Sequence, residues 1–204
     1  MTTEINTTEL TTTIEQPTNG PIFAPAQFEH AQRIVKVLSS SDLVPTTYKN
    51  NVANTLVALE MANRMGASPV MVMQNLHIIH GRPSWGSSFI IASLNSCGRF
   101  TTLRFVGDAN KCKAVATDKA TGEVLEGPTV SLEMAKAEGW LDKAGSKWKT
   151  MPELMLKYRA AAFFGRLYAP EVLMGMQTSE EVIDITPMQP PAVDAINSKI
   201  NPKG

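Results

Sequence analysis

Residues 148–170 read Trp148-Lys149-Thr150-Met151-Pro152-Glu153-Leu154-Met155-Leu156-Lys157-Tyr158-Arg159-Ala160-Ala161-Ala162-Phe163-Phe164-Gly165-Arg166-Leu167-Tyr168-Ala169-Pro170. Pro152 suits the first position of a helix, where its missing N–H is not needed, and Pro170 ends that helix or begins another short one. At about 100° per residue, Leu156, Ala160, Phe163 and Leu167 gather on one side, and Phe164, Tyr168, Ala161 and Tyr158 extend the apolar surface. A helix from about Pro152 to Tyr168 is therefore expected to be largely buried. Arg159 and Arg166, seven residues apart, differ by only about 20° in direction and share their stripe with Met155 and Ala162. Lys157 projects elsewhere, near the Phe164 and Tyr168 side. Two readings of this stripe stay open. The arginines pair with acids such as Glu133 or snorkel to solvent, or they form a track for a phosphate backbone, which the planar guanidinium suits.

Just upstream, residues 143–149 read as a basic, Gly-containing loop in which Lys143, Lys147 and Lys149 surround Trp148, an indole suited to stacking on a base. Further out, Ser131 to Glu138 reads as a helix stopped by Gly139. Before it, the period changes to two. Phe100 to Val106 and Lys111 to Thr117 read as strands, and Ala120-Thr121-Gly122 turns the chain into Glu123 to Leu125. Phe89 to Cys97 reads as a helix closed by Gly98. Leu76 to His80, the turn Gly81-Arg82-Pro83 and Ser84-Trp85 suggest a second hairpin. Earlier still, helices are expected from near Phe28 to Leu38, from Lys49 to Met65 with Gly66 as its stop, and over Val70–Asn75 behind Ser68-Pro69. Helices bracketing a run of strands predict an α+β fold in which a small antiparallel β-sheet of hairpins packs with several helices.

The 204 residues suit one folded domain with loose ends. Residues 1–25 are rich in Thr, Pro, Asn and Gly, and a flexible N-terminal arm is expected there. The core is expected over 26–184, and a flexible Pro-rich tail over 185–204. Lys plus Arg equals Asp plus Glu at 19 each, so any claim of nucleic-acid binding rests on local charge. The distribution is uneven, with cations frequent from Arg99 to Arg166 and acids clustered near both ends. No apolar run approaches the roughly 18–20 residues of a membrane span, and Met1 to Gln16 has no secretory or transit pattern, so a cytoplasmic protein is expected. Cys97 and Cys112 are then expected as free thiols.

Three patterns are set aside on chemical grounds. Gly81 to Ser88 has the glycine spacing of a P-loop, but Ser87 stands where lysine is required and Pro83 deletes a backbone donor. His77 and His80 on a strand point to opposite faces, with no further ligand nearby, so no metal site is expected. The methionines at 61, 65, 71 and 73 read as adaptable core filling. No catalytic triad or carboxylate pair emerges from spacing, so no enzyme, and no cofactor, is expected.

The stretch Trp148 to Ala162, followed by Gly165-Arg166-Leu167-Tyr168-Ala169-Pro170-Glu171, resembles the basic helix of the RecT and Red-beta family of phage single-strand annealing proteins. Ala58 to Pro69 is similar to that family's helix-Gly-x-x-Pro element. Arg82 to Phe100 resembles its strand and helix before a Gly-basic-aromatic turn, and Glu180-Glu181-Val182 also fits. The resemblance spans roughly residues 50–184. It implies an annealing-protein-like core, ATP-independent pairing of complementary single strands through an annealed duplex intermediate, and homo-oligomeric rings or helical filaments in a host cytoplasm. A phage exonuclease and the host single-strand-binding protein are the implied partners; with a short Pro-rich tail after Ile185, the separate partner-binding domain of some relatives is not expected. Family basic positions fall on Lys157, Arg159 and Arg166.

The expected DNA-binding set is accordingly Lys143, Lys147, Trp148, Lys149, Lys157, Arg159 and Arg166. Arg82, Trp85, Arg99, Lys111 and Lys113 are expected to face DNA or a neighbouring protomer. The competing reading is a self-assembling phage structural or scaffold protein whose cationic helix lies between protomers. A nuclease would instead need clustered acids and a divalent ion.

Overall fold

The computed structural model describes residues 25–185. The arm expected over 1–25 and the tail over 185–204 lie outside them, apart from Pro25 and Ile185, which belong to helices. The chain begins with α1 (Pro25–Ser40) and α2 (Val52–Met65), which pack together. The Asn51 side chain accepts the Asn54 N–H at 3.0 Å at the start of α2. Gly66, at φ 61°, lets Ala67 N–H reach back to the Ala62 carbonyl at its end. Next comes α3 (Pro69–Asn75), which runs directly into a hairpin of β1 (Leu76–Ile79) and β2 (Arg82–Trp85). Its two-residue loop, His80-Gly81, has positive φ at both positions, the geometry that matches the natural twist of paired strands. The glycine-spaced segment is thus a hairpin turn leading into α4 (Ser87–Ser96), with Ser84, Trp85, Gly86 and Ser87 buried rather than cradling a phosphate.

The main sheet is antiparallel and has β4 (Lys111–Thr117) at its centre. On one side β4 pairs with β3 (Arg104–Gly107). On the other, its C-terminal half pairs with β5 (Val124–Glu126) and its N-terminal end with β6 (Val130–Ser131). The expected strand from Phe100 is shorter than read. Phe100 makes only an isolated bridge to Asp118, and its ring enters the core instead. Gly107 is fixed by space, because a Cβ there would lie 2.0 Å from the Lys111 carbonyl oxygen. Beyond β6 come α5 (Leu132–Ala137), α6 (Lys147–Thr150), α7 (Pro152–Tyr168), α8 (Pro170–Leu173) and α9 (Ser179–Ile185). The 143–149 segment is thus partly helical, and α9 went unread in the sequence.

Packing follows from size. The inward residues of β4, Cys112, Ala114 and Ala116, are small, and α7 lies across them with Ala160, Ala161 and Phe164 buried. Phe164 meets Phe100 edge-on at 5.5 Å. Burial of side chains this large stabilises by about 1.5–3 kcal/mol each. On the side of α7 toward α4, Gly165 permits close approach, since a Cβ there would come within 2.8 Å of Leu173 and 3.4 Å of Leu94. The fold is therefore α+β, with helices on one face of a small antiparallel sheet.

The middle of α7 is buried on nearly every side, as its composition demands, but the orientation differs from the sequence reading in one respect. Leu167, placed on the apolar side, is 60% exposed, whereas Met155, Arg159 and Ala162 are buried. The stripe that carries the arginines faces inward because α9 folds back onto it.

Candidate nucleic-acid interface

Arg159 is 4% exposed, and its guanidinium lies in a closed polar junction between α7, α6 and α9. It is paired with Asp184 and, at 3.5 Å, with Glu181. Its charge also lies over the Trp140 ring, 4.0 Å from the centroid, with Trp148 at 5.8 Å on another side. Trp148 is 1% exposed, and its indole N–H donates to Asp184 at 2.9 Å. Arg166, 35% exposed at the side chain, pairs with the same Glu181 and rests over Phe163. Lys143 Nζ donates to the Ile183 carbonyl at 2.6 Å.

The acids arrive by a local device. Thr178 N–H donates to Glu181 Oε2 at 2.9 Å, while Glu181 N–H donates to the Thr178 hydroxyl at 3.0 Å. This reciprocal capping box starts α9 and aims Glu181 at the two arginines. Helical spacing then brings Asp184 onto the same face one turn later. Burial pushes the Asp184 carboxyl above its ordinary value; the Trp148 N–H, Arg159 and Lys143 oppose this only in part. The same burial lowers Arg159. A guanidinium has so much basicity in reserve that Arg159 remains charged.

The structure thus places several of the expected contacts in existing pairs rather than at an open surface. Arg159, Arg166 and Trp148 do share one neighbourhood, with Arg159 and Trp148 interior and Arg166 at its edge, and acids and rings already occupy their donors. The acids are Glu181 and Asp184, not Glu133, which is exposed. Trp85 is also interior, its N–H donating to the Leu173 carbonyl at 3.2 Å. Arg99 is committed to Asp118 at 3.2 Å, to the Tyr168 carbonyl at 2.6 Å and to Glu171 at 3.3 Å, tying the sheet to the end of α7. In each case the reason is the same: a long-range contact supplies an acceptor that chain-local spacing does not reveal.

Other expected cations stay at the surface. Lys147 and Lys149 flank the buried Trp148 on α6 and are exposed, as is Arg82 beside the β1–β2 turn. The main sheet adds a set with defined register. Residues 111, 113 and 115 of β4 alternate onto the face opposite α7, and their direct partners share that face: Arg104 opposite Val115, Val106 opposite Lys113, Glu126 opposite Val115. This open face thus presents Arg104, Lys111 and Lys113 against one acid, Glu126, which pairs with Lys113 at 2.5 Å. Val106 is 49% exposed there, while Val115, flanked by Arg104 and Glu126, is buried. Arg104 was not singled out in the sequence; a strand-register argument from Lys111 and Lys113 is the signal that finds it.

Around the hairpin edge, a 310 Å³ cleft lies between the β3–β4 turn and α7, with Phe105, Asp108, Cys112, Glu153 and Lys157 in its wall. Lys157 is exposed. Cys112 is a buried thiol pushed up by burial, an effect that Lys157 partly offsets. No group of three or more His, Cys, Asp and Glu is placed to hold a metal among the described residues, and no helix among them is long and apolar enough to cross a membrane. No protein-family model matches the chain, and no curated protein matches it.

Proposed function

We propose that this chain binds single-stranded DNA through its sugar-phosphate backbone and anneals complementary strands without a nucleotide cofactor. The observation that carries the reading is the open face of the main sheet, where Arg104, Lys111 and Lys113 stand in fixed register against a single acid. Lys157 beyond the hairpin edge, and Lys147 and Lys149 on α6, supply further exposed cations. The resemblance of residues 50–184 to annealing proteins supports the same reading.

The physics of the task fits such a surface. Cations on a sheet face attract phosphates and release their counterions, while base edges are left free to test a second strand. Pairing and stacking of the bases supply the driving force. A face with three cations spans few nucleotides, so useful affinity comes from several protomers on one strand, in a ring or filament. Zero net charge over the chain lets copies pack together without mutual repulsion. A phage exonuclease and a host single-strand-binding protein, in the host cytoplasm, complete the proposal.

A second reading, a self-assembling structural protein, is favoured by another observation. A 590 Å³ groove among α2, α3, α4 and α8 carries Met65, Met71, Phe89 and Met174, and the ion-paired junction of Arg159 and Arg166 needs no ligand to explain it. The test is to mix the protein with two complementary dye-labelled oligonucleotides, without ATP or magnesium. Pairing faster than in protein-free controls is expected. Assembly into large species with no acceleration of pairing would favour the structural reading instead.

A further inference from the structure

We infer that α9 is a displaceable cover, whose Glu181 and Asp184 hold on Arg159 and Arg166 the positions that phosphates of a bound single strand take when the helix swings away. The inference rests on the single-strand-binding reading and assigns a regulation to it.

Four observations point the same way. First, α9 packs on the β1–β2 hairpin, to which Thr178 just before it is bridged at Trp85, and its ties to α6 and α7 are polar: Glu181 and Asp184 to the arginines and Asp184 to the Trp148 N–H, with Glu180 to the Ser87 hydroxyl at 2.6 Å and the Ile183 carbonyl to Lys143 besides. Val182 is its one fully buried apolar side chain, and Ile183 is 54% exposed. Second, those contacts have the chemistry of a phosphodiester. Anionic oxygens accept from a guanidinium fork and from an indole N–H, and a phosphate satisfies the same donors. Third, the receiving half keeps its own support. Arg159 remains packed against Trp140, and Trp140 lies 5.1 Å from Trp148, so the cationic and aromatic surface is formed by α6, α7 and the segment before them. Uncovered, Trp148 is then free to stack on a base. Fourth, α9 has seven residues, too few to be stable by itself, which places it among the elements that open first.

Exchange is also favourable by charge. Removing one member of a buried ion pair is costly because the other is stranded, whereas replacing a carboxylate by a phosphate leaves no charge unpaired. The covered state lowers apparent affinity by the fraction of molecules that are closed, so binding proceeds from a first contact on the exposed cations to a tighter second state.

The experiment is amide hydrogen exchange over residues 179–185 of the full chain, alone, with a homothymidine oligonucleotide and with poly-glutamate, with oligonucleotide binding followed in parallel by anisotropy. Loss of protection in α9 on binding the oligonucleotide, with α7 still protected, is expected. In addition, Asp184→Asn, which keeps an acceptor for Trp148 but loses the charge, is expected to bind the oligonucleotide about fivefold more tightly. If the oligonucleotide binds but α9 stays as protected as before, the cover is refuted while the binding function stands. Release by poly-glutamate alone overturns the phosphate assignment in favour of an acidic protein partner. No binding at all overturns both readings.

Discussion

The α7–α9 junction and the open face of the main sheet both present arginine, yet they use it in opposite ways. At the junction, Arg159 and Arg166 meet carboxylates 15 to 25 residues away in sequence, and Arg159, between two rings, is closed off from water. On the sheet, Arg104 has Val115 directly across from it and remains exposed. The lesson is that a cation's role is set less by its own helix or strand than by whether the fold returns an acid to it. In the junction, charge organises the interior; on the sheet, Lys113 is paired with Glu126 while Arg104 and Lys111 are exposed to a ligand.

The largest effect that tests this contrast is Arg159→Ala. Leaving Asp184 and part of Glu181 buried without their counter-charge is expected to cost about 3–5 kcal/mol in denaturant unfolding. Replacing Arg159 and Asp184 together by Met and Leu is expected to cost less than the single change, because no charge is stranded. An Arg159→Ala variant as stable as the parent would break the contrast. Next in size is Trp148→Phe, which keeps a ring in the core but leaves a small cavity and deletes the 2.9 Å donor to Asp184; a loss of about 1.5–3 kcal/mol is expected by the same measurement.

On the sheet the expectation reverses. Arg104→Glu with Lys111→Glu is expected to leave stability within about 0.5 kcal/mol. The same double change should weaken oligonucleotide binding and flatten its logarithmic salt dependence by about two contacts. An unchanged salt slope would move the interface elsewhere.

The smallest effect concerns Asp118, whose partner Arg99 is half-exposed and so lies between the two extremes. The Ala120 N–H first, then Arg99 and the Thr121 N–H, hold its carboxyl below the ordinary value of 3.8, against the effect of burial. A carboxyl lowered on folding contributes stability that is present above its unfolded value and lost as pH falls through the folded one. Asp118→Asn is therefore expected to flatten the acid limb of the stability profile below about pH 4, read by urea titration at successive pH values.

Much of the fold was legible locally. Pro152 and the apolar content of residues 154–168 announced the long helix, and Ser68-Pro69 and Gly66 marked the neighbouring boundaries. The turns read at 81–83 and 120–122 announced hairpins, although the first lies at His80-Gly81 with Arg82 and Pro83 already in β2, because φ preference and hydrophobic period are properties of a few adjacent residues. The candidate site was less legible. Thr178-Ser179-Glu180-Glu181 carries a capping-box pattern that reads as a helix start, yet nothing in that tetrapeptide says where the helix will dock. Arg104 carries no local signal, since its significance depends on strand register with Lys111 and Lys113.

The sequence by itself therefore determined the α+β class, the buried character of α7 and the pairing of Arg159 with Arg166 on a common stripe, all consequences of short-range periodicity. Only the tertiary structure decided which way that stripe faces. Its direction depends on the free energy of bringing α9 back across the chain to match two guanidinium groups with two buried carboxylates, and no local pattern encodes that match.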